Sequence, residues 1–406
     1  MNCLVGQSGG PTSVINSSLA GVIQAGIDFN FEKIYALRHG IEGLLRDNIV
    51  EIDKEKFVSE NIKDKLMKRP SSILGSCRYR LTDDLNDDIY RLIFEKLKKL
   101  EITNFVYIGG NDSMDTVKKL NAYMIKNKID WISIVGSPKT IDNDLMGMDH
   151  SPGFGSASKY IINTINNIRT DVDIYDKKTV TFVEIMGRNA GWLTASSLLT
   201  NYNRDKRVVN LIYLSEKPCT KEQIIEDIKK AHEIEDNVIV AVSEGFMDSE
   251  KYFEKSVIRS YDQGFNHPII SGIASRISDY IYDVMDIKTK AVELNISQRT
   301  NHIISKTDAE EAFELGYKSL EWSREKTNIV PVIKRKDTQS YEIEFSHVIS
   351  GEIANMESII PQSWMKDIET LEQKIYQYAL PLVKGEMPQE FENGMIKYIT
   401  LDDIII

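Results

Sequence analysis

Short apolar runs alternate with longer amphipathic segments from the N-terminus through at least residue 325, and this alternation constrains the chain more than any other feature. Strands are predicted at Asn2–Gly6, Lys33–Leu37, Phe105–Ile108, Trp131–Val135, Thr179–Ile185, Val208–Leu214 and Asn237–Val242. Helical patterns lie between them. In Asp84–Leu100, for example, Leu85, Ile89, Leu92, Ile93, Leu97 and Leu100 recur at helical spacing, with acidic residues early and lysines late, as the helix dipole favours. Thr307-Asp308-Ala309-Glu310 reads as a capping box that opens a helix towards Trp322. Strand and helix in alternation imply α/β architecture, with largely parallel sheets covered by helices on both faces. In such sheets ligands gather at the C-terminal ends of strands. From Asn328 the pattern changes: residues 335–340 look like a hairpin turn between β-rich runs, and a helix follows near Ile368–Lys384.

Bulk properties exclude several classes. At 406 residues the chain is long enough for two or three structural units. No window holds eighteen consecutive apolar residues, so no transmembrane helix is expected, and Met1 leads into Cys3-Leu4-Val5 without the basic region of a signal peptide. Cys3, Cys77 and Cys219, an odd number without metal-type spacing, suit a reducing cytoplasm better than a disulfide framework. The histidines (His39, His150, His232, His267, His302 and His347) are too dispersed to suggest zinc. A net charge of −11 argues against a nucleic-acid partner, while a local basic pocket for a small anion remains compatible with it.

Glycine-rich strand ends carry the first chemical signal. Gly109-Gly110-Asn111-Asp112-Ser113 follows a strand and precedes a helix, a junction where backbone amides and the helix dipole can receive a phosphate. A Gly-Gly turn that merely closes a βα loop is the alternative. Gly6-Gln7-Ser8-Gly9-Gly10-Pro11-Thr12 repeats the device before a helix beginning near Ser13, and matches neither a Walker nor a Rossmann fingerprint. Next comes Gly136-Ser137-Pro138-Lys139-Thr140-Ile141-Asp142-Asn143-Asp144. Two carboxylates two residues apart beside a phosphate site suggest a base for a hydroxyl and a ligand for magnesium, unless the segment is only an Asp-rich turn.

Pro-Lys-Thr-Ile-Asp-Asn-Asp resembles the signature loop of the phosphofructokinase family. Four further segments resemble family motifs in the same order: Gly75-Ser76-Cys77-Arg78-Tyr79, Met186-Gly187-Arg188, Glu244-Gly245 and Gln298-Arg299. The resemblance spans roughly residues 2–325 and implies two interwoven Rossmann-like lobes. A phosphoryl-donor lobe would span 1–150, with about 300–325 returning to it; a sugar-phosphate lobe would span 151–299, and a C-terminal α/β extension 326–406.

It also implies roles. Gly9, Gly10, Arg78, Gly110, Asn111 and Ser113 would bind the donor, and Asn111 with Asp144 would hold Mg2+. Thr140, Ile141, Asp142, Met186, Gly187, Arg188, Glu244, Lys290, Gln298 and Arg299 would hold fructose 6-phosphate, with Asp142 as general base. Asp112 stands where ATP-using members carry Gly, and its carboxylate would repel a nucleotide's α-phosphate. Lys139 replaces Gly and adds charge where the transferring group becomes negative. The pair implies pyrophosphate as donor, reversible transfer and membership of the pyrophosphate-using branch.

Two departures stand out: the family's Asp is Asn111 here, and its arginines donated by a neighbouring subunit align with Thr179 and Lys290. The resemblance implies a homo-oligomer, dimer or tetramer. Three other readings compete. An ATP-dependent phosphofructokinase would want Gly at position 112. Lipid and nucleotide kinases share a Gly-Gly-Asp-Gly loop but lack the other segments. A silent sugar-phosphate-binding regulatory subunit would have lost Asp142.

Overall fold

The structure is a computed structural model that describes residues 1–253 and 272–406, and the strands Ile258–Tyr261 and Pro268–Ile270 between them; His267 lies outside the described residues. Strands β1 (Asn2–Gln7), β2 (Lys33–Leu37), β3 (Ile49–Glu51), β4 (Ile102–Gly109) and β5 (Ser133–Pro138) form one sheet in the order β3-β2-β1-β4-β5. Only β3 runs antiparallel to its neighbour. Strands β6 (Thr179–Ile185), β7 (Leu211–Tyr213) and β8 (Asn237–Ser243) join a later strand in a second sheet. Strands β9 (Ile258–Tyr261) and β10 (Pro268–Ile270) pair as a small antiparallel ladder, and β11 (Lys288–Glu293) completes the second sheet as β11-β6-β8-β7, all parallel. Near-continuous burial along β1, β4, β6 and β8 is what a parallel sheet covered on both faces requires.

The first sheet is covered on one face by the helices Ile15–Asp28 and Lys306–Ser323, and on the other by Asp88–Lys99 and Asn111–Asn127. The late helix reaches the early one because both are notched. A Cβ on Gly21 would lie 2.0 Å from the Phe313 carbonyl oxygen, and one on Gly316 would lie 2.0 Å from that of Ser18. Any larger residue would force the helices apart and strip Leu19, Ile23, Ala312 and Leu320 of their packing. Beyond residue 325, β12 (Ile329–Arg335) and β13 (Ile343–Ile349) pair antiparallel. Val330 and Val332 pack on Met114 and Leu145, while the helix Ile368–Ala379 sends Leu371 and Ile375 into the core beneath the second sheet. No helix among the described residues is long and apolar enough to cross a membrane.

Several predicted boundaries move, each because a side chain captures the backbone. β7 is shorter than Val208–Leu214 because Asn201 Oδ1 accepts from the amides of Val208 and Val209. The helix expected from Asp84 starts at Asp88, capped by the Asp87 carboxylate, while Asp84 holds a turn through the Asn86 amide. The first helix begins at Ile15, not Ser13. The capping box at Thr307 does not form: Ser305 caps that helix, and the Asp308 carboxylate instead accepts from Gly153 and Ser156 amides, both at 2.8 Å. The helix predicted to Lys384 ends at Ala379 and tightens into a 3₁₀ turn, since Pro381 has no amide to continue it.

Candidate active site

Both sheets direct the C-terminal ends of their strands at one cavity of about 580 Å³. From the first sheet, β1 delivers Gly9 and Gly10, β4 delivers Gly110 to Ser113, and β5 delivers Lys139 to Asp142 and Asp144. From the second, β6 delivers Met186 and Arg188, and β8 delivers Glu244. Arg78 and Arg299 complete the predicted wall. Within the second sheet the loops that follow β6 and β8 meet closely at Gly245, where a Cβ would lie 1.7 Å from the Arg188 carbonyl oxygen, so no other residue fits there.

On the first-sheet side, Gly110 caps the helix Asn111–Asn127, and Asp112 sits in its first turn. Ser113 Oγ is buried with no hydrogen-bond partner beside the glycine turns, as are the Nε atoms of Arg188 and Arg299. Such orphaned donors cost stability unless a ligand satisfies them. Lys139 is 1% exposed; its Nζ donates to the Gly10 carbonyl at 2.7 Å, and its amide to that of Gly109 at 3.0 Å.

The charges on the wall disturb one another. Burial pulls the Lys139 ammonium down to about 7, and Arg299 adds to the fall while Asp142 opposes it. Burial pushes the Asp142 carboxyl up against the pull of Arg299, Arg188 and Lys139. Asp144 rises to about 7 through burial and the Asp142 charge, and Glu244 rises to about 7 for the same two reasons. Arg299 falls from its usual value through burial and the neighbouring Arg78. Opposed shifts of this kind gather where charge is to be moved or received.

Three predicted residues do not line the cavity. Gly187 turns the chain behind it at φ 129°; Gln298 is buried, with Oε1 accepting from the Met186 amide at 3.1 Å; Lys290 lies on β11 and pairs with Asp171 at 3.2 Å. Conversely, Pro11, Asn189, Ala190, Asn355 and Glu357 line it without having been singled out. Asn189 and Ala190 directly follow Met186-Gly187-Arg188, so extending that segment would have found them. Nothing local marks Asn355 and Glu357. They sit on a strap from the C-terminal extension, where Asn111 Oδ1 accepts from the Asn355 amide, Asn355 Nδ2 donates to Asp115, and Asn189 Nδ2 donates to Glu357 at 2.8 Å.

The oxygen donors of the cavity suit a hard cation. Asp142 and Asp144 are half-buried; desolvation and then the Asp142 charge raise Asp144, and a divalent ion would relieve the repulsion. No three His, Cys, Asp or Glu side chains converge into a group that could hold a metal among the described residues.

Comparison with known proteins agrees with this geometry. The profile described as Phosphofructokinase matches residues 2–323. The chain is 32% identical to a pyrophosphate--fructose 6-phosphate 1-phosphotransferase of Xanthomonas campestris pv. campestris (strain B100), covering 100% of this chain and 97% of the relative. It is 27% identical to a sulfofructose kinase of Alkalicoccus urumqiensis, over 90% and 92% of the two chains. A crystal structure of a pyrophosphate-dependent phosphofructokinase from Nitrosospira multiformis superposes with a TM-score of 0.87 at 28% identity, covering 100% and 97%. A matching profile over most of the chain, full-length relatives and strand ends converging on one cavity lead to one conclusion: this chain belongs to the phosphofructokinase family.

Proposed function

We propose that this chain transfers a phosphoryl group reversibly between pyrophosphate and the 1-hydroxyl of fructose 6-phosphate, yielding fructose 1,6-bisphosphate and phosphate. The observation that carries the reading is the sharing of one cavity wall by buried Lys139 and half-buried Asp142, with Asp112 on the first turn of the adjoining helix. Residues 1–150 with 300–325 then act as the donor lobe, 151–299 as the sugar lobe, and 326–406 as an extension packed on both.

In the forward direction Asp142 takes the proton of the sugar's 1-hydroxyl. That oxygen bonds to the distal phosphorus of pyrophosphate as the bridging P–O bond breaks, and orthophosphate leaves with the bond's electrons. Burial raises the proton affinity of Asp142, which suits a base. Lys139, Arg78 and amides of the glycine turns neutralise the phosphates; Arg188, Glu244 and Arg299 hold the sugar phosphate. Asp112 repels the α-phosphate of a nucleotide donor. Bound Mg2+ supplies charge neutralisation for the donor oxygens; Asp144 would hold it, with the second lone pair of Asn111 Oδ1 available beside the one engaged by Asn355. Lys290, outside its own cavity on an edge strand, would serve the site of a neighbouring copy in a homo-oligomer. Unpaired cysteines support a cytoplasmic setting.

Purified protein is given fructose 6-phosphate and Mg2+ with either pyrophosphate or ATP, and fructose 1,6-bisphosphate is measured. Turnover with pyrophosphate well above that with ATP is expected, and preference for ATP would sink the donor assignment. The relative named sulfofructose kinase makes the acceptor a second arm. A sulfonated fructose preferred over fructose 6-phosphate would reassign the sugar.

A further inference from the structure

The catalytic loop carries Asn143 between Asp142 and Asp144, in the left-handed conformation at φ 58° and 4% exposed. A side chain held this way cannot place its neighbours unless something fixes it, and two partners do. Asn143 Oδ1 accepts from the Ser151 amide at 2.9 Å, and Nδ2 donates to the Tyr378 hydroxyl at 2.7 Å. That hydroxyl donates in turn to the Asp149 carbonyl at 2.6 Å. Tyr378 belongs to the helix Ile368–Ala379 of the extension, far from the loop in sequence.

Its ring is held on several sides. Trp192 lies against it at 5.2 Å between centroids, Phe154 is at 6.3 Å, and the Arg335 guanidinium lies 5.0 Å from its centre. Arg335 also donates to the Tyr378 carbonyl at 2.9 Å and pairs with Asp149 at 3.0 Å. One hydroxyl therefore joins both ends of the turn 143–149 to an element of the extension. Tyr378 itself is absent from the cavity wall.

We infer that Tyr378 is a positioning residue for phosphoryl transfer: through Asn143 it sets the backbone that aims Asp142 and Asp144 into the cavity. This rests on the proposed phosphotransferase reading. Loss of the hydroxyl leaves Asn143 Nδ2 and the Asp149 carbonyl unpaired together, so the turn relaxes while the sugar and donor walls stay in place.

The test compares kcat and both KM values, with pyrophosphate and fructose 6-phosphate, for wild type, Tyr378→Phe, Asn143→Gly and the double variant. Gly tolerates the left-handed backbone and deletes only the amide, so it keeps the test alive should Tyr378→Phe fold poorly. Tyr376→Phe, on the same helix, serves as control. Expected is a fall in kcat of about 10- to 100-fold in each single variant with both KM values within about twofold. Asn143→Gly also removes the acceptor of the Ser151 amide, so the double variant should be no worse than Asn143→Gly alone, and the control should match wild type. An unchanged kcat, additive losses, or a loss confined to KM would overturn the inference. Failure of wild type itself to turn over these substrates would instead overturn the phosphotransferase reading.

Discussion

Lys139 is the residue whose chemistry is most exposed to solution conditions, because burial holds its ammonium near pH 7 while the reaction needs it charged. Its pKa is depressed, so the charged form is lost as pH rises through about 7, and binding of the anionic donor weakens with it. Between pH 6.5 and 8.5 the kcat/KM for pyrophosphate should therefore fall, approaching about tenfold per unit once the donor's own ionisation is allowed for. Lys139→Arg keeps a charge throughout and should flatten that profile at a lower rate, since a guanidinium fork does not fit a space bounded by Gly9 and Gly10. A wild-type profile as flat as the variant's would show that Lys139 stays charged when buried. Residues of this kind were legible in sequence, because Lys139, Asp142 and Asp144 stand within one contiguous segment at a strand end. Gln298 was legible only as a position: its amide faces the Met186 backbone, a direction that no spacing encodes.

At the scale of elements, the chain's strands were readable because parallel strands buried on both faces are runs of apolar residues. Their ends were not, since Asn201, Asp87 and Ser305 settle them through contacts specific to this fold. Equally hidden was the clasp that ties the extension to the helix Lys306–Ser323. His150 is buried between Asp149 at 2.8 Å and Glu311 at 2.7 Å, and Tyr341, just ahead of β13, donates to Glu311. Burial alone would lower the His150 value, yet hydrogen bonds to the two carboxylates outweigh it and lift it to about 9. A folded value above the unfolded one of about 6.5 means the stabilisation is whole below pH 6.5 and lost as pH rises to 9. The change is on the order of 3 kcal/mol. Melting temperature should therefore decline across that window in wild type and much less in His150→Gln, which carries no titrating charge at that position. Parallel slopes in the two proteins would mean that His150 is neutral.

For the whole molecule, the extension is what sequence pattern described least: it showed a hairpin and a helix but not where they dock. It contributes Asn355 and Glu357 to the cavity, and Leu371 and Ile375 to the core under the second sheet. Its far end returns to the first sheet. Ile405 bridges Ile52, the Asp53 amide donates to the Ile404 carbonyl, and the Ile406 amide donates to that of Glu51, so the residues closing β3 are covered by residues 404–406. Removing residues 401–406 should lower the melting temperature and raise light scattering at high protein concentration, because open strand edges pair with other chains. Equal scattering by the shortened and full-length proteins would show that β3 is protected without them.

That covering also sets an order in time. A growing chain releases β3 from the ribosome hundreds of residues before 404–406, so the first sheet spends that interval with one flank unsealed. For that interval its solubility depends on whatever the cell lends it, and slow codons or scarce chaperones would be felt first at this flank, long before the active site exists.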